Sequence, residues 1–177
     1  KCGRGVLAEL GNDAKAMGMR RVALFTDPIV ATIAPFRAAL DSLKAAGLDV
    51  VVYDQCKVEP TSASFLEAAA FARDGGFDGY ISIGGGSVID TAKAANLYAT
   101  HPADFLAYVN KPLGEGRPVP GPVKPHIACP TTCGTGSETT GVAIFDHVEK
   151  QVKTGISSRY LRPNLAVVDP ATIDSLP

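Results

Sequence analysis

The sequence predicts an α/β fold: a parallel sheet covered by helices on both faces, with a β-hairpin added late in the chain. Three observations predict it. Short aliphatic and β-branched runs alternate with longer stretches of helical spacing, the pattern of strands joined by helical crossovers. Polar or glycine turns follow the strand runs, at Thr26-Asp27-Pro28, Gly84 to Ser87 and Thr131 to Ser137. Two more apolar runs, Gly141 to Phe145 and Gln151 to Ile156, flank one polar turn, as the arms of a hairpin do.

The elements follow in order. Val6, Leu7, Leu10, Ala14 and Met17 recur at near-helical spacing over residues 5–17. Val22 to Phe25 is a buried strand. Residues 30–46 read as a helix stopped by Gly47. Asp49 to Tyr53 is a β-branched strand. Pro60 and the Thr/Ser cluster at 61–64 open a helix that runs to Arg73 and ends at Gly75-Gly76. Tyr80 to Ile83 is the third strand, and residues 87–99 form the next helix. Five prolines between 110 and 125 predict an irregular surface loop. Ile127 to Cys129 is a strand, the hairpin follows, and Leu165 to Val168 is the last strand.

The composition bounds what such a domain can do. The chain has 177 residues, 46% of them hydrophobic, enough for one domain or one half of a larger enzyme. Its 17 Lys and Arg balance 18 Asp and Glu, so it carries no electrostatic footprint for nucleic acid or an anionic membrane. No apolar stretch approaches the roughly 20 residues of a membrane span. The four cysteines form no Cys-x-x-Cys and are expected to be small buried hydrophobes in a reducing compartment. His101, His126 and His147 lack close metal-ligand spacing and are expected in loops or at edges. The chain opens inside a pattern at Lys1-Cys2-Gly3 and stops at Ser175-Leu176-Pro177, so a longer parent protein is expected.

The chemistry is expected where the strands end, because open α/β sheets bind ligands at the C-terminal ends of their strands. Gly84-Gly85-Gly86-Ser87 lies between a strand and a helix N-terminus. Glycines let backbone approach a phosphate, and free N–H groups with the helix dipole favour negative charge. Ser87 with Asp90 three residues on fits a capping box. Thr131, Thr132 and Thr135, in the run Pro130 to Glu138, offer hydroxyls for phosphate or ribose oxygens without adding charge. The pair of turns points to a nucleotide in a Rossmann-like sheet. Asp27 either accepts ribose hydroxyls and repels a 2′-phosphate, favouring NAD over NADP, or is ordinary turn chemistry before Pro28. Gly3-x-Gly5-x-x-Ala8 imitates the dinucleotide fingerprint, but no strand precedes it. Cys133 has no evident base beside it. Lys93 reads as a solvated helix residue; Lys153 is an edge charge or reaches a cofactor.

These residues resemble a known family. Gly84-Gly85-Gly86-Ser87 with Asp90-Thr91-Ala92-Lys93, then Pro130-Thr131-Thr132 with Gly134-Thr135-Gly136-Ser137-Glu138, are similar to the iron-containing (group III) alcohol dehydrogenases. Lys93 to Tyr98, Gly136 to Asp146 and Ser157-Ser158-Arg159 resemble its hydroxyacid-oxoacid transhydrogenase branch. The resemblance implies that residues 1–177 are the N-terminal NAD-binding domain of a two-domain oxidoreductase. The absent C-terminal helical domain would hold a divalent metal, Fe or Zn, through an Asp and three His beyond this chain, so no metal ligand or catalytic residue is assigned here. It implies cofactor contacts from Gly85, Gly86, Ser87, Asp90 (through its capping role), Thr131, Thr132, Thr135, Thr140, Asp27 and Lys153. Glu59 stands where related members commonly carry Asn, so no contact is carried over there. The implied reaction passes hydride from a primary alcohol or hydroxy acid to NAD, and in the transhydrogenase branch onward to an oxo acid, a pair resembling 4-hydroxybutyrate with 2-oxoglutarate. It also implies a homo-oligomer at full length, in the cytoplasm or, in a eukaryote, the mitochondrial matrix. Glycerol-dehydrogenase and dehydroquinate-synthase types share the fold and glycine turn, but the run Pro130 to Glu138 argues against them. A non-catalytic nucleotide-binding module is the competing class.

Overall fold

The computed structural model describes residues 1–174. Five parallel strands form the sheet: β1 (Arg21–Phe25), β2 (Asp49–Tyr53), β3 (Gly79–Gly84), β4 (His126–Pro130) and β7 (Leu165–Ala166), in the order β2-β1-β3-β4-β7. Strands β5 (Val142–His147) and β6 (Val152–Ser157) pair antiparallel as the hairpin. The helices are α1 (Leu10–Ala16), α2 (Ala34–Ala45), α3 (Ser62–Gly75), α4 (Gly86–Thr100) and the single turn α5 (Phe105–Tyr108).

Strand alternation divides the core. Val22, Leu24, Ile81, Ile83, Ile127 and Cys129 point to one face and pack with Leu10, Phe36, Ala39 and Leu43 of α1 and α2. Ala23, Phe25 and Tyr80 point to the other and meet Ala68, Ala72, Val88, Ala92 and Ala95 of α3 and α4. A third cluster joins Phe65, Leu97 and Tyr98 to Ala143, Phe145 and Ile156 of the hairpin. Helices on both faces and a late hairpin are therefore what the chain forms.

Several boundaries differ from the sequence reading, each for a physical reason. The expected helix over 30–46 is a 3₁₀ turn, Val30–Thr32, then extended Ile33, then α2. Pro35 lacks an N–H and is tolerated only in a helix's first turn, so the helix must begin beside it. The expected helix over 5–17 splits into a 3₁₀ turn, Val6–Glu9, and α1. Helix α3 starts as expected: Thr61 Oγ1 accepts from the Ser64 amide, and Ser64 Oγ accepts from the Thr61 amide. The last strand is shorter than expected, and beyond it Val168 bridges Cys2.

Gly3 to Ala8 binds an internal carboxylate rather than a phosphate. Asp169, buried, accepts the amides of Gly5 (3.0 Å), Leu7 (3.2 Å) and Ala171 (3.0 Å). Two cysteines, Cys56 and Cys129, are buried as expected; Cys2 and Cys133 are exposed, and all four are free thiols. His101 and His147 lie at a helix end and a strand end, but His126 does not fit the expectation. It sits in the interior strand β4, buried, its Nε2 2.8 Å from Ser82 Oγ.

Candidate functional site

Parallel strands put all their C-terminal ends on one rim. There Asp27 follows β1, Gly85 to Ser87 follows β3, and Thr131 and Thr132 follow β4. Neighbouring β3 and β4 hold the last two turns together, and the Thr131 amide donates to the Gly84 carbonyl (3.0 Å). A Cβ added at Gly85 would stand 3.4 Å from Thr132 Oγ1; one at Gly86 would stand 3.1 Å from Ser137 Oγ and 3.2 Å from Thr135 Cβ. The glycine turn and the threonine turn thus face each other across a space that a side chain would fill. That space opens into a cleft of about 430 Å³, lined by both turns and by Asp27, Ile29, Val30, Lys57 and Val58.

Helix α4 begins at this cleft. Its N-cap is Gly85, in extended conformation, and no side chain caps it. The Val88 and Ile89 amides donate to the Gly85 carbonyl, which leaves the Gly86 and Ser87 amides available to an anion, with the dipole of a 15-residue helix behind them. Gly84 lets the helix lie close on its strand, since a Cβ there would come within 2.5 Å of Val88. Asp27 Oδ1 accepts the amides of Ile29 and Val30, both at 2.9 Å. Its turn role and its availability to a ligand coexist, because Oδ2 is left for the cleft.

Two readings of α4 are corrected. Ser87 and Asp90 form no capping box: the helix starts a residue earlier than expected, which puts Asp90 a full turn inside it. Its Oδ2 accepts the Ile144 amide of β5 (3.0 Å), and its Oδ1 takes the Lys93 ammonium (3.3 Å). Lys93 is not solvated either. It is 1% exposed, and its Nζ also donates to the Val142 carbonyl (2.7 Å). The reason is that α4 is covered on all sides, with every residue from Val88 to Tyr98 buried, its polar Asp90, Thr91, Lys93 and Asn96 included. Burial pushes the Asp90 carboxyl up and the Lys93 ammonium down, and each one's charge opposes the other's shift. Together they tie the glycine-turn helix to the hairpin.

The cleft collects Asp27, Gly85, Gly86, Ser87, Thr131 and Thr132. Thr135 packs on Gly86 at its edge. Asp90 lies behind the glycine turn, in contact with the hairpin. Thr140 is exposed beyond the threonine turn and does not line the cleft. Lys153 projects from β6, largely exposed, and pairs with Asp146 at 3.2 Å, also away from the cleft wall. The sequence reading missed Ile29, Lys57 and Val58. Their signal was position alone: they follow the C-terminal ends of β1 and β2, where such sheets bind ligands. Glu59, in the same loop, adopts a left-handed φ of 57°, a conformation that Asn or Gly takes with less strain. Among the described residues no group of three or more His, Cys, Asp or Glu lies together to hold a metal, and none of their helices is long and apolar enough to cross a membrane.

Comparisons with known proteins agree with this architecture. The family described as "Iron-containing alcohol dehydrogenase" matches residues 1–170. The mitochondrial hydroxyacid-oxoacid transhydrogenase of Homo sapiens is 53% identical over 169 residues, 95% of this chain and 36% of the relative. That of Caenorhabditis elegans is 47% identical over 176 residues, 99% of this chain and 38% of the relative. The chain thus spans little more than a third of the curated relatives it matches. Among solved structures, the NADH-dependent butanol dehydrogenase A of Thermotoga maritima superposes with a TM-score of 0.89 at 28% identity, covering 99% of this chain and 43% of that one. The sulfoacetaldehyde reductase of Bifidobacterium kashiwanohense, solved with NAD⁺, gives 0.89 at 28% identity, covering 100% and 46%. With the sheet, the uncapped glycine turn and the facing threonine turn in place, a match over nearly its whole length makes this chain a member of the iron-containing alcohol dehydrogenase family.

Proposed function

We propose that the chain is the NAD-binding domain of a metal-dependent alcohol dehydrogenase of the hydroxyacid-oxoacid transhydrogenase type. The observation that carries the proposal is the approach of Gly85 and Gly86 to Thr132, Thr135 and Ser137. It makes one cradle from two turns, too narrow for side chains and open to a diphosphate. In this reading the first amides of α4 bind the diphosphate, with Ser87 beside them. Asp27 accepts ribose hydroxyls, and Thr131, Thr132 and Thr135 donate to phosphate or ribose oxygens. Asp90 acts from behind by fixing the hairpin, and Thr140 and Lys153 approach the cofactor from that side. NAD, when bound, supplies the acceptor of a hydride.

The rest of the enzyme would hold the divalent metal. The described residues offer it no ligand set, so no step here runs through it. The substrate is read as a primary alcohol or hydroxy acid, with an oxo acid as second acceptor, by analogy with the relatives' names. Those names also favour the mitochondrial matrix in a eukaryotic host, and cytoplasm otherwise. A homo-oligomer is proposed for the full-length enzyme.

Titration of the purified chain with NAD, NADP and ATP tests the reading. NAD is expected to bind best, and Gly86→Val, which places methyls against Thr135 and Ser137, to weaken it by roughly tenfold or more. Circular dichroism melting checks that the variant is folded. Equal affinity for ATP would replace the dehydrogenase reading with a generic nucleotide module.

A further inference from the structure

The opposite rim of the sheet carries a second cavity, of about 290 Å³, between the C-terminal ends of α3 and α4. Tyr80, near the start of β3, lines it with Arg73 of α3, Gly76 and Phe77 of the turn that follows, Thr100 at the end of α4, and Lys124 of the loop before β4. Tyr80 is 1% exposed. Its hydroxyl makes no hydrogen bond with a described residue and is not sealed off either, so the trace of surface the residue keeps lies at its oxygen, in this cavity. A buried hydroxyl left without a partner is destabilising, so this one is completed by something that enters from solvent. Lys124 is held beside it. Its amide donates to Asn96 Oδ1 (3.1 Å), its carbonyl accepts from Asn96 Nδ2 (2.8 Å), and Asn96 is buried in α4. Among the described residues the lysines in ion pairs are Lys1, Lys93 and Lys153, so the Lys124 ammonium has no carboxylate partner. Arg73 meets only its neighbour Asp74, at 3.5 Å on the surface.

The same place offers acceptors. The last turns of two helices leave carbonyl oxygens without intrahelical partners, and cations beside such ends are favourable even with nothing bound. Arg73 and Lys124 therefore assign no ligand by themselves; the unpartnered Tyr80 hydroxyl does. A bare inorganic anion would satisfy the cations and be repelled by the carbonyls. A neutral polyol would leave the ammonium unused. We propose that this cavity is a second binding site, for a small carboxylate that also bears a hydroxyl group. The carboxylate pairs with Lys124 and Arg73, while the hydroxyl accepts from Tyr80 Oη and donates to a helix-end carbonyl. The volume lies just under the ~300 Å³ at which pockets for drug-sized ligands begin, so the occupant is a small metabolite. The site stands apart from the nucleotide reading, because the cradle is at the other end of α4, whose N-cap is Gly85 and whose last residue is Thr100.

L-Malate and succinate are the probes, since they share two carboxylates and differ by one hydroxyl. In NMR titrations of the chain, L-malate is expected to move the amides of Phe77, Tyr80 and Thr100 saturably and to leave those of Gly85 to Ser87 in place. Succinate should bind roughly fivefold more weakly. Tyr80→Phe, which removes only the oxygen, should weaken L-malate by about the same factor and bring the two probes level. Lys124→Gln should weaken both. Thermal melting checks that each variant is folded. Equal affinity for the two probes in the unmodified chain, L-malate affinity untouched by Tyr80→Phe, shifts confined to Gly85 to Ser87, or no saturable binding would each overturn the second site. None of these outcomes bears on NAD binding, which is read at the opposite rim.

Discussion

Asp27 carries a charge whose place is fixed by two backbone amides, so its loss is an electrostatic change at one point of the cleft. Asp27→Gly is expected to relax discrimination between NAD and NADP by roughly tenfold, since the charge that repels a 2′-phosphate is gone while the Lys57 cation still lines the same cleft. The affinity ratio measured by calorimetry checks it; an unchanged ratio would deny Asp27 that role. The residue scale also holds a pH effect. Full burial pushes the His126 imidazole down from 6.5 to about 3. Below pH 6.5 the unfolded chain takes up a proton that the folded chain refuses, so stability falls as pH drops toward 3. Between pH 7 and pH 5 this is worth about 2 kcal/mol. Urea melts of wild type and His126→Asn at the two pH values should differ in their pH dependence by that amount. That Asp27, Gly85, Gly86, Ser87, Thr131 and Thr132 gather at one cleft was legible in the sequence because turns after strands have characteristic composition; Thr140, outside the cleft wall, was not placed by that signal. Lys57 and Val58 were not, because nothing in a Lys-Val pair shows which loop leans over a cleft.

At the scale of elements, α4 is the joint between cofactor turn and hairpin. Lys93→Met would strip the cation from a carboxylate that is itself nearly buried, a loss of about 3–5 kcal/mol. Removing both charges, Asp90→Leu with Lys93→Met, should cost less than the single change, because no lone charge remains inside. Chemical denaturation of the single and double variants checks the order; a double variant weaker than Lys93→Met would mean that the Asp90 contact with Ile144 outweighs the pair. Alternation, capping at Thr61 and terminal glycines made most elements legible. The burial of Lys93 was not. The run Ala94-Ala95-Asn96-Leu97-Tyr98 signals a buried helix, but only the folded hairpin shows that the lysine's side is covered too.

For the whole molecule, strand order decides function. A sheet ordered β2-β1-β3-β4-β7 brings turns separated by some fifty residues of sequence to one rim, and that convergence is a property of the packed sheet. The sequence carried the two turns; only pairing of β3 with β4 makes them one cradle. Residues 1–177 alone are expected to bind NAD weakly and to turn over no hydroxy acid when Fe²⁺ or Zn²⁺ is added, since the described residues gather no metal ligands. An NADH absorbance assay at 340 nm reads this directly, and clear turnover would place the chemistry within this chain after all.

The grip of Asp169 on the amides of Gly5 and Leu7 joins positions 164 and 162 residues apart. Such a closure has to wait until nearly all the intervening polypeptide has been made and arranged. During synthesis on the ribosome the segment around Gly5 therefore idles, its amides served by water, until the stretch carrying Asp169 arrives and locks it in place.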